Sequence, residues 1–248
     1  MSVLRAEVFK LRTSRAAWIG FASLLALHVL VLWQGLDMTR AAVDAIAPNG
    51  TIEIFVGERR PAGPALIELT AGGSLQMCIF LPGLGALLGG RDARRLGAGL
   101  LAVPQRHRLF ASMTAAAALW LLVLATAVAL CSMLFTFLAI REWNSGLVLS
   151  ADTLRTQALF VMYAVVYSLI GYAFALAGRG VLVGLLGVVA LTALTMTQVA
   201  VPSLDTLLPL SAGIHLVLEG RVSGALVIAG WGAVALGGAW LVVRRRDQ

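Results

Sequence analysis

Charge is scarce in this 248-residue chain: Asp, Glu, Lys and Arg make up 12% of it, against roughly 25% in soluble domains. With 60% of residues hydrophobic and a mean hydropathy of +0.91, a water-soluble fold of this length has too little polar surface to cover its apolar groups. Lysine is almost missing. Lys10 is the single one, flanked by Phe9 and Leu11, so the Gly-Lys-Ser/Thr loop that cradles the phosphates of ATP is excluded. The two cysteines, Cys78 and Cys131, sit in apolar stretches far from any second Cys or His at metal-ligand spacing, which makes them small packing residues. There is no His/Glu pair at zinc-binding spacing and no Gly-x-Ser-x-Gly elbow, so neither metal-assisted nor serine hydrolysis has its residues. The expectation is a chain that is not an enzyme and carries no catalytic, cofactor-binding or metal-ligating residues.

What the chain does have is long runs free of charge. Six windows lack Asp, Glu, Lys and Arg: 17–35, 71–90, 109–140, 157–177, 180–201 and 223–243. Each is long enough for a helix to cross roughly 30 Å of hydrocarbon. The third holds 32 residues with no turn signal, so it reads as one span that tilts or extends beyond the bilayer. A tight hairpin at Ala177-Gly178-Arg179-Gly180 separates the fourth and fifth. The basic start followed by an apolar run, with Ala45-Ile46-Ala47 beyond it, resembles a cleaved leader only superficially, because the apolar run is too long and ends near Trp33. It reads as a retained first span.

Sidedness follows from the basic residues. With loops assigned to alternating sides, 13 of the 19 Lys/Arg fall in 1–16, 91–108, 178–180 and 244–248, and 6 in 36–70, 141–156 and 202–222. The acidic residues divide 3 against 9 in the opposite sense. The positive-inside rule then predicts an all-α polytopic membrane protein of six transmembrane helices, a single domain over 1–248, with both termini cytoplasmic. This anchoring also accounts for the net charge of +7 without nucleic acid. On the outer side, 36–70 has turn residues around an extended run, Thr51 to Val56, and 202–222 is apolar enough to form short helices at or in the interface.

Polar groups inside the windows are few. His28 is the one titratable candidate, with Gln34, Gln76, Gln157 and Gln198 nearer span ends; a packed, hydrogen-bonded histidine is the expected reading rather than an ion-coupling site. Gly85-x-x-x-Gly89, Gly180-x-x-x-Gly184 and the Ala229, Ala233, Gly237 stripe let helix backbones approach. Tyr163 and Tyr167 share a face at i, i+4 and are expected to fill the bundle.

Two basic segments remain. Residues 1–16 form an amphipathic interfacial helix with Leu4, Val8 and Leu11 on one side. Residues 91–108 carry five arginines around an apolar middle and a proline, as suits a loop that lies against lipid headgroups or a protein. The start Leu4-x-x-Glu7-x-x-Lys10-Leu11-Arg12-x-x-Arg15-x-x-Trp18, and the stretch Leu100-Leu101-Ala102-Val103-Pro104-Gln105-Arg106-His107-Arg108-Leu109, resemble the type-2 ATP-binding-cassette exporter permeases, especially the short six-span bacterial members. That resemblance implies a multi-pass subunit of the bacterial plasma membrane, paired with a second permease subunit, identical or homologous. It further implies separate ATPase subunits that bind ATP and Mg. Residues 91–108 become the cytoplasmic coupling loop, with Arg91, Asp92, Arg94, Arg95, Leu101, Pro104, Gln105, Arg106 and Arg108 toward the ATPase. Glu7, Lys10, Leu11, Arg12 and Arg15 become the interfacial helix. The cargo stays open among drug or antibiotic, antimicrobial peptide and lipid. The alternative is a non-transporting scaffold or sensor that uses the same loop to dock a cytoplasmic partner.

Overall fold

The computed structural model describes residues 3–55, 58–102, 105–196 and 206–245, and nearly all of them are helical. A short helix α1 (Val3–Arg12) turns at Thr13-Ser14 into α2 (Arg15–Asp44). The turn is held by the Ser14 side chain, which accepts from the Ala17 amide, and by Trp18 Nε1, which donates to the Arg12 carbonyl at 2.7 Å. An antiparallel hairpin of β1 (Thr51–Phe55) and β2 (Glu58–Pro61) follows. Then come α3 (Ala62–Leu75), a 3-10 turn (Gln76–Ile79), α4 (Leu81–Ala102), α5 (Arg106–Asn144) and α6 (Ala151–Ala177). The described chain closes with α7 (Val181–Met196), α8 (Pro209–Glu219) and α9 (Val222–Arg244).

Five helical stretches are long and apolar enough to cross a membrane: Arg15–Asp44, Ala62–Gly97, Arg106–Leu149, Ala151–Ala177 and Val222–Arg244. The fifth expected span, 180–201, is described only as the 16 residues of α7; residues 197–201, Gln198 among them, lie outside the described residues. The 32-residue window is indeed one undivided helix. At ~1.5 Å per residue the 39 residues of α5 run about 58 Å, well beyond the hydrocarbon thickness.

Three expected boundaries shift. The outer connection 36–70 is shorter, because α2 continues to Asp44, with Leu36 and Val43 still buried and Asp37 paired to Arg40 at 3.6 Å. The second span starts at Ala62 rather than 71 and is interrupted by the 3-10 turn just before Pro82. Proline has no N–H to return to the preceding turn and its ring crowds it. The expected loop 91–108 is helix through Ala102, since nothing before Pro104 breaks it and the glycines at 97 and 99 only weaken it. The expected extended run in the outer connection is β1, with Ile52 buried in a small cluster against Val43, Leu66, Met133 and Ile140; Val56 lies outside the described residues.

The core is built around α6. Phe160, Tyr163, Tyr167, Ile170 and Tyr172 on it are fully buried, whereas α2 exposes Ile19, Leu30, Trp33 and Met38. Lipid tails are as apolar as leucine, so helices in a bilayer associate by close packing more than by the hydrophobic effect. Gly85 and Gly89 of α4 face the carbonyls of Ser168 and Tyr172, and Gly171 of α6 faces the carbonyl of Pro82; a Cβ at any of the three would overlap the oxygen. Gly184 likewise meets Ala175 and Ala86, but Gly180 has open space. The Ala229, Ala233, Gly237 stripe is exposed among the described residues. At the α6–α7 turn the left-handed residue is Arg179, at φ 59°, rather than either flanking glycine. The described part of the connection expected on the outer side is seated in the bundle: α8 buries Leu210, Ala212, Leu216 and Val217, and its Gly213 lies on the ring of Tyr163.

The basic segments converge at one end. Arg91 reaches α1, Arg106 reaches the last turn of α9, and Gly90 abuts Val181 just after the Arg179 turn.

Candidate coupling site

At this end α1 is docked on the bundle by a buried polar cluster. Its inward face is Val3, Glu7 and Leu11, whereas Leu4 and Val8, expected beside Leu11, are each 37% exposed and turn partly outward. Glu7 pairs with Lys10 at 2.5 Å and lies near Arg91 of α4, while α1 as a whole packs mainly on α5. Arg91 Nη2 donates to the Lys10 carbonyl at 3.0 Å, and the next residue, Asp92, accepts from the Tyr172 hydroxyl at 3.0 Å. Arg91 and Asp92 are only 7% and 8% exposed. Consecutive helix positions point about 100° apart, so one residue reaches α1 while the other reaches α6. A buried charge is tolerated only when paired and hydrogen-bonded, and removing one partner of such a set costs about 3–5 kcal/mol. Two atoms, Arg91 Nε and Nη1, have no hydrogen-bond acceptor among the described residues.

The residues expected to face an ATPase fall into four groups. Arg91 and Asp92 are interior and act on α1 and α6. Arg94, Arg95, Gln105 and Arg108 are exposed. Arg106 is half-buried, with Nη1 donating to the Arg244 carbonyl at 2.6 Å, which ties the start of α5 to the end of α9. Leu101 is in the last turn of α4, and its side chain, like the whole of Pro104, lies outside the described residues. On α1 and the following turn, Leu11 is buried and Lys10, Arg12 and Arg15 are exposed. Sequence reasoning missed Tyr172, whose hydroxyl caps Asp92 from a helix 80 residues away. Nothing local distinguishes it from the other tyrosines of α6.

Of the polar residues inside the windows, His28 and Gln157 are buried, whereas Gln34 and Gln76 are exposed. His28 is fully buried, with Nε2 3.1 Å from the Val128 carbonyl and 3.0 Å from Ser132 Oγ. Gln157 Oε1 accepts from Ser74 at 2.9 Å. Tyr163 and Tyr167 stack with centroids 5.5 Å apart, and the Tyr167 hydroxyl meets Thr192 at 3.1 Å.

Comparison with protein-family models, with curated proteins and with solved structures gives no match to this chain. Fold and site therefore define a class: a nearly all-helical chain with several helices long and apolar enough to span a membrane, as a multi-pass membrane protein requires, and a basic, internally braced corner at one end.

Proposed function

We propose that the chain is the membrane-spanning permease subunit of an ATP-binding-cassette exporter, driven by separate ATPase subunits and paired with a second permease subunit, in a bacterial plasma membrane. The observation that carries this reading is the braced corner: Arg91 and Asp92 tie α4 to α1 and to α6, and Arg106 ties the start of α5 to the end of α9. Closure of two ATPase domains delivers a push at one place, and only a corner joined to several helices passes it into the bundle. An anchoring loop needs charge at the headgroups and no such bracing. The exposed Arg94, Arg95 and Arg108 supply planar, forked donors beside it for a partner surface. In this reading the corner lies on the cytoplasmic side of a six-span bundle with both termini inside.

Affinity purification of the tagged chain from its native membrane, in mild detergent, is expected to bring down a chain with a Gly-Lys-Ser/Thr loop, and the ATP turnover of that complex to vanish when the partner is stripped. Turnover by the isolated chain refutes the reading, and repeated purification without such a partner refutes it in favour of a scaffold or sensor.

Sidedness has its own measurement. With Cys78 and Cys131 replaced, single cysteines at the exposed positions Pro48 or Arg59 of the connection between α2 and α3 are expected to react with an impermeant maleimide on intact cells, and those at Arg94 or Arg108 only after permeabilisation. The opposite pattern inverts the topology.

A further inference from the structure

A crevice of about 380 Å³ lies between α2, α3 and α5, at the end of the bundle that carries the hairpin. Its walls are apolar, from Leu32, Leu36, Ala65 and Phe135, and the buried hydroxyls of Thr70, Ser132 and Thr136 form its floor. Those hydroxyls are already engaged: Thr70 meets Thr136 at 2.9 Å, and Ser132 meets His28 at 3.0 Å. The floor therefore presents little unsatisfied polarity to an occupant. Facing glycines keep the space open. Gly35 and Gly72 line it, and a Cβ at either would meet nothing within 4 Å, unlike the α4 glycines, which are filled by the neighbouring backbone.

The charged groups among the lining residues are Glu58, Arg60 and Glu68. Arg60 bridges both carboxylates, at 2.6 Å to Glu58 and 3.2 Å to Glu68. Two carboxylates on one guanidinium leave the mouth with an excess of negative charge. The nearest other ion pair of the hairpin, Arg59 with Glu53 at 3.7 Å, is internally balanced. Leu69 and Leu218, each about a third exposed, also line the crevice, so apolar surface stands beside the charged groups. The volume falls within the ~300–1,000 Å³ typical of small-molecule sites.

From this combination we infer that the crevice is a binding site for lipophilic cations, which place an apolar body between α2 and α3 and the positive charge at Glu58 and Glu68. The inference does not rest on the exporter reading, because binding is measured on this chain alone, without any ATPase.

The probe is tetraphenylphosphonium, with tetraphenylborate as its isosteric anion, each measured separately by equilibrium binding to the full-length chain in lipid nanodiscs against empty nanodiscs. Saturable binding of the cation is expected, and no binding of the anion above the empty discs. At Gly35 and Gly72 a Cβ meets nothing within 4 Å and leucine improves helix propensity, so Gly35→Leu and Gly72→Leu are expected to keep the thermal midpoint while weakening the cation at least tenfold. The double variant Glu58→Gln with Glu68→Gln turns the mouth from net negative to net positive. These groups are water-exposed, so a loss of roughly fivefold is expected for the cation, with a gain for the anion. The inference is overturned if the parent chain binds the cation no better than empty discs, if the folded leucine variants bind as the parent does, or if both ions bind the parent equally.

Discussion

Gly89→Leu is expected to leave no folded chain. A Cβ at this position would overlap the carbonyl oxygen of Tyr172, and the obstacle is helix backbone, which no rotamer change can move. Overpacking against flexible side chains typically costs about 1–3 kcal/mol; here α4 and α6 have to separate along the seam that also includes Gly85 and Gly171. In a bilayer that separation sacrifices the packing that holds helices together, because lipid replaces the lost apolar contact but not the close fit. The damage reaches the corner as well. Tyr172, whose carbonyl abuts Gly89, also donates through its hydroxyl to Asp92, so parting the helices unpairs a buried carboxylate. The expected readout is aggregation on gel filtration in detergent, or a thermal midpoint lowered by more than ~10 °C, corresponding to several kcal/mol in a chain of this size. The control is on the same helix: Gly97 is exposed with open space at its Cβ, and Gly97→Leu is expected to be neutral or stabilising by up to ~1 kcal/mol. Equal behaviour of the two variants would contradict the α4–α6 seam.

Transport-linked ATP turnover is expected to disappear, with insertion and assembly intact, when Arg94, Arg95 and Arg108 are all changed to lysine. If these side chains only held lipid headgroups, each would contribute about 1 kcal/mol and lysine would serve as well. A groove on an ATPase reads the planar fork of the guanidinium, which lysine lacks. Leu101→Asp is expected to have the same effect by placing a charge in the last turn of α4. Arg106→Lys is a less direct test, because Arg106 already donates to the Arg244 carbonyl and its loss loosens the corner itself. The measurement is ATP hydrolysis and cargo movement by the reconstituted complex, with co-purification of the partner as the check on assembly. A triple lysine variant that turns over ATP within about twofold of the parent would reduce these arginines to anchors. A variant that co-purifies normally but has lost at least ~90% of cargo-stimulated turnover would establish coupling, a loss of about 1.4 kcal/mol or more.

The corner was legible in part. Its residue types and their clustering stood out because arginine in an apolar chain is conspicuous, and the amphipathic start announced a surface helix. Which arginines face inward was not legible. Arg91 and Arg94 look equivalent in the string, yet one is 7% exposed on the Lys10 carbonyl and the other is open to solvent. Orientation about the α4 axis is set by the glycines that press α4 on α6, and that contact joins residues about 80 positions apart. The crevice was invisible for the same reason: Gly35 and Gly72 resemble Gly85 and Gly89 in composition, and only their neighbours in space make one pair a seam and the other a gap.

Span-length apolar character is legible in the sequence alone. Charge-free windows of bilayer length mark helices apolar enough to cross a membrane, and a single lysine outside any Gly-Lys-Ser/Thr sequence excludes the phosphate-cradling loop, because the cost of burying charge and the length needed to cross hydrocarbon are local properties of a chain. Tertiary structure alone decided which glycines are filled, that α1 lies on the bundle with Glu7 inward, that Asp92 meets Tyr172, and that three helices part beside the hairpin. Those are matters of which helix faces which, and in a bilayer the choice is made by close steric fit between distant segments, which a one-dimensional pattern of apolar residues does not encode.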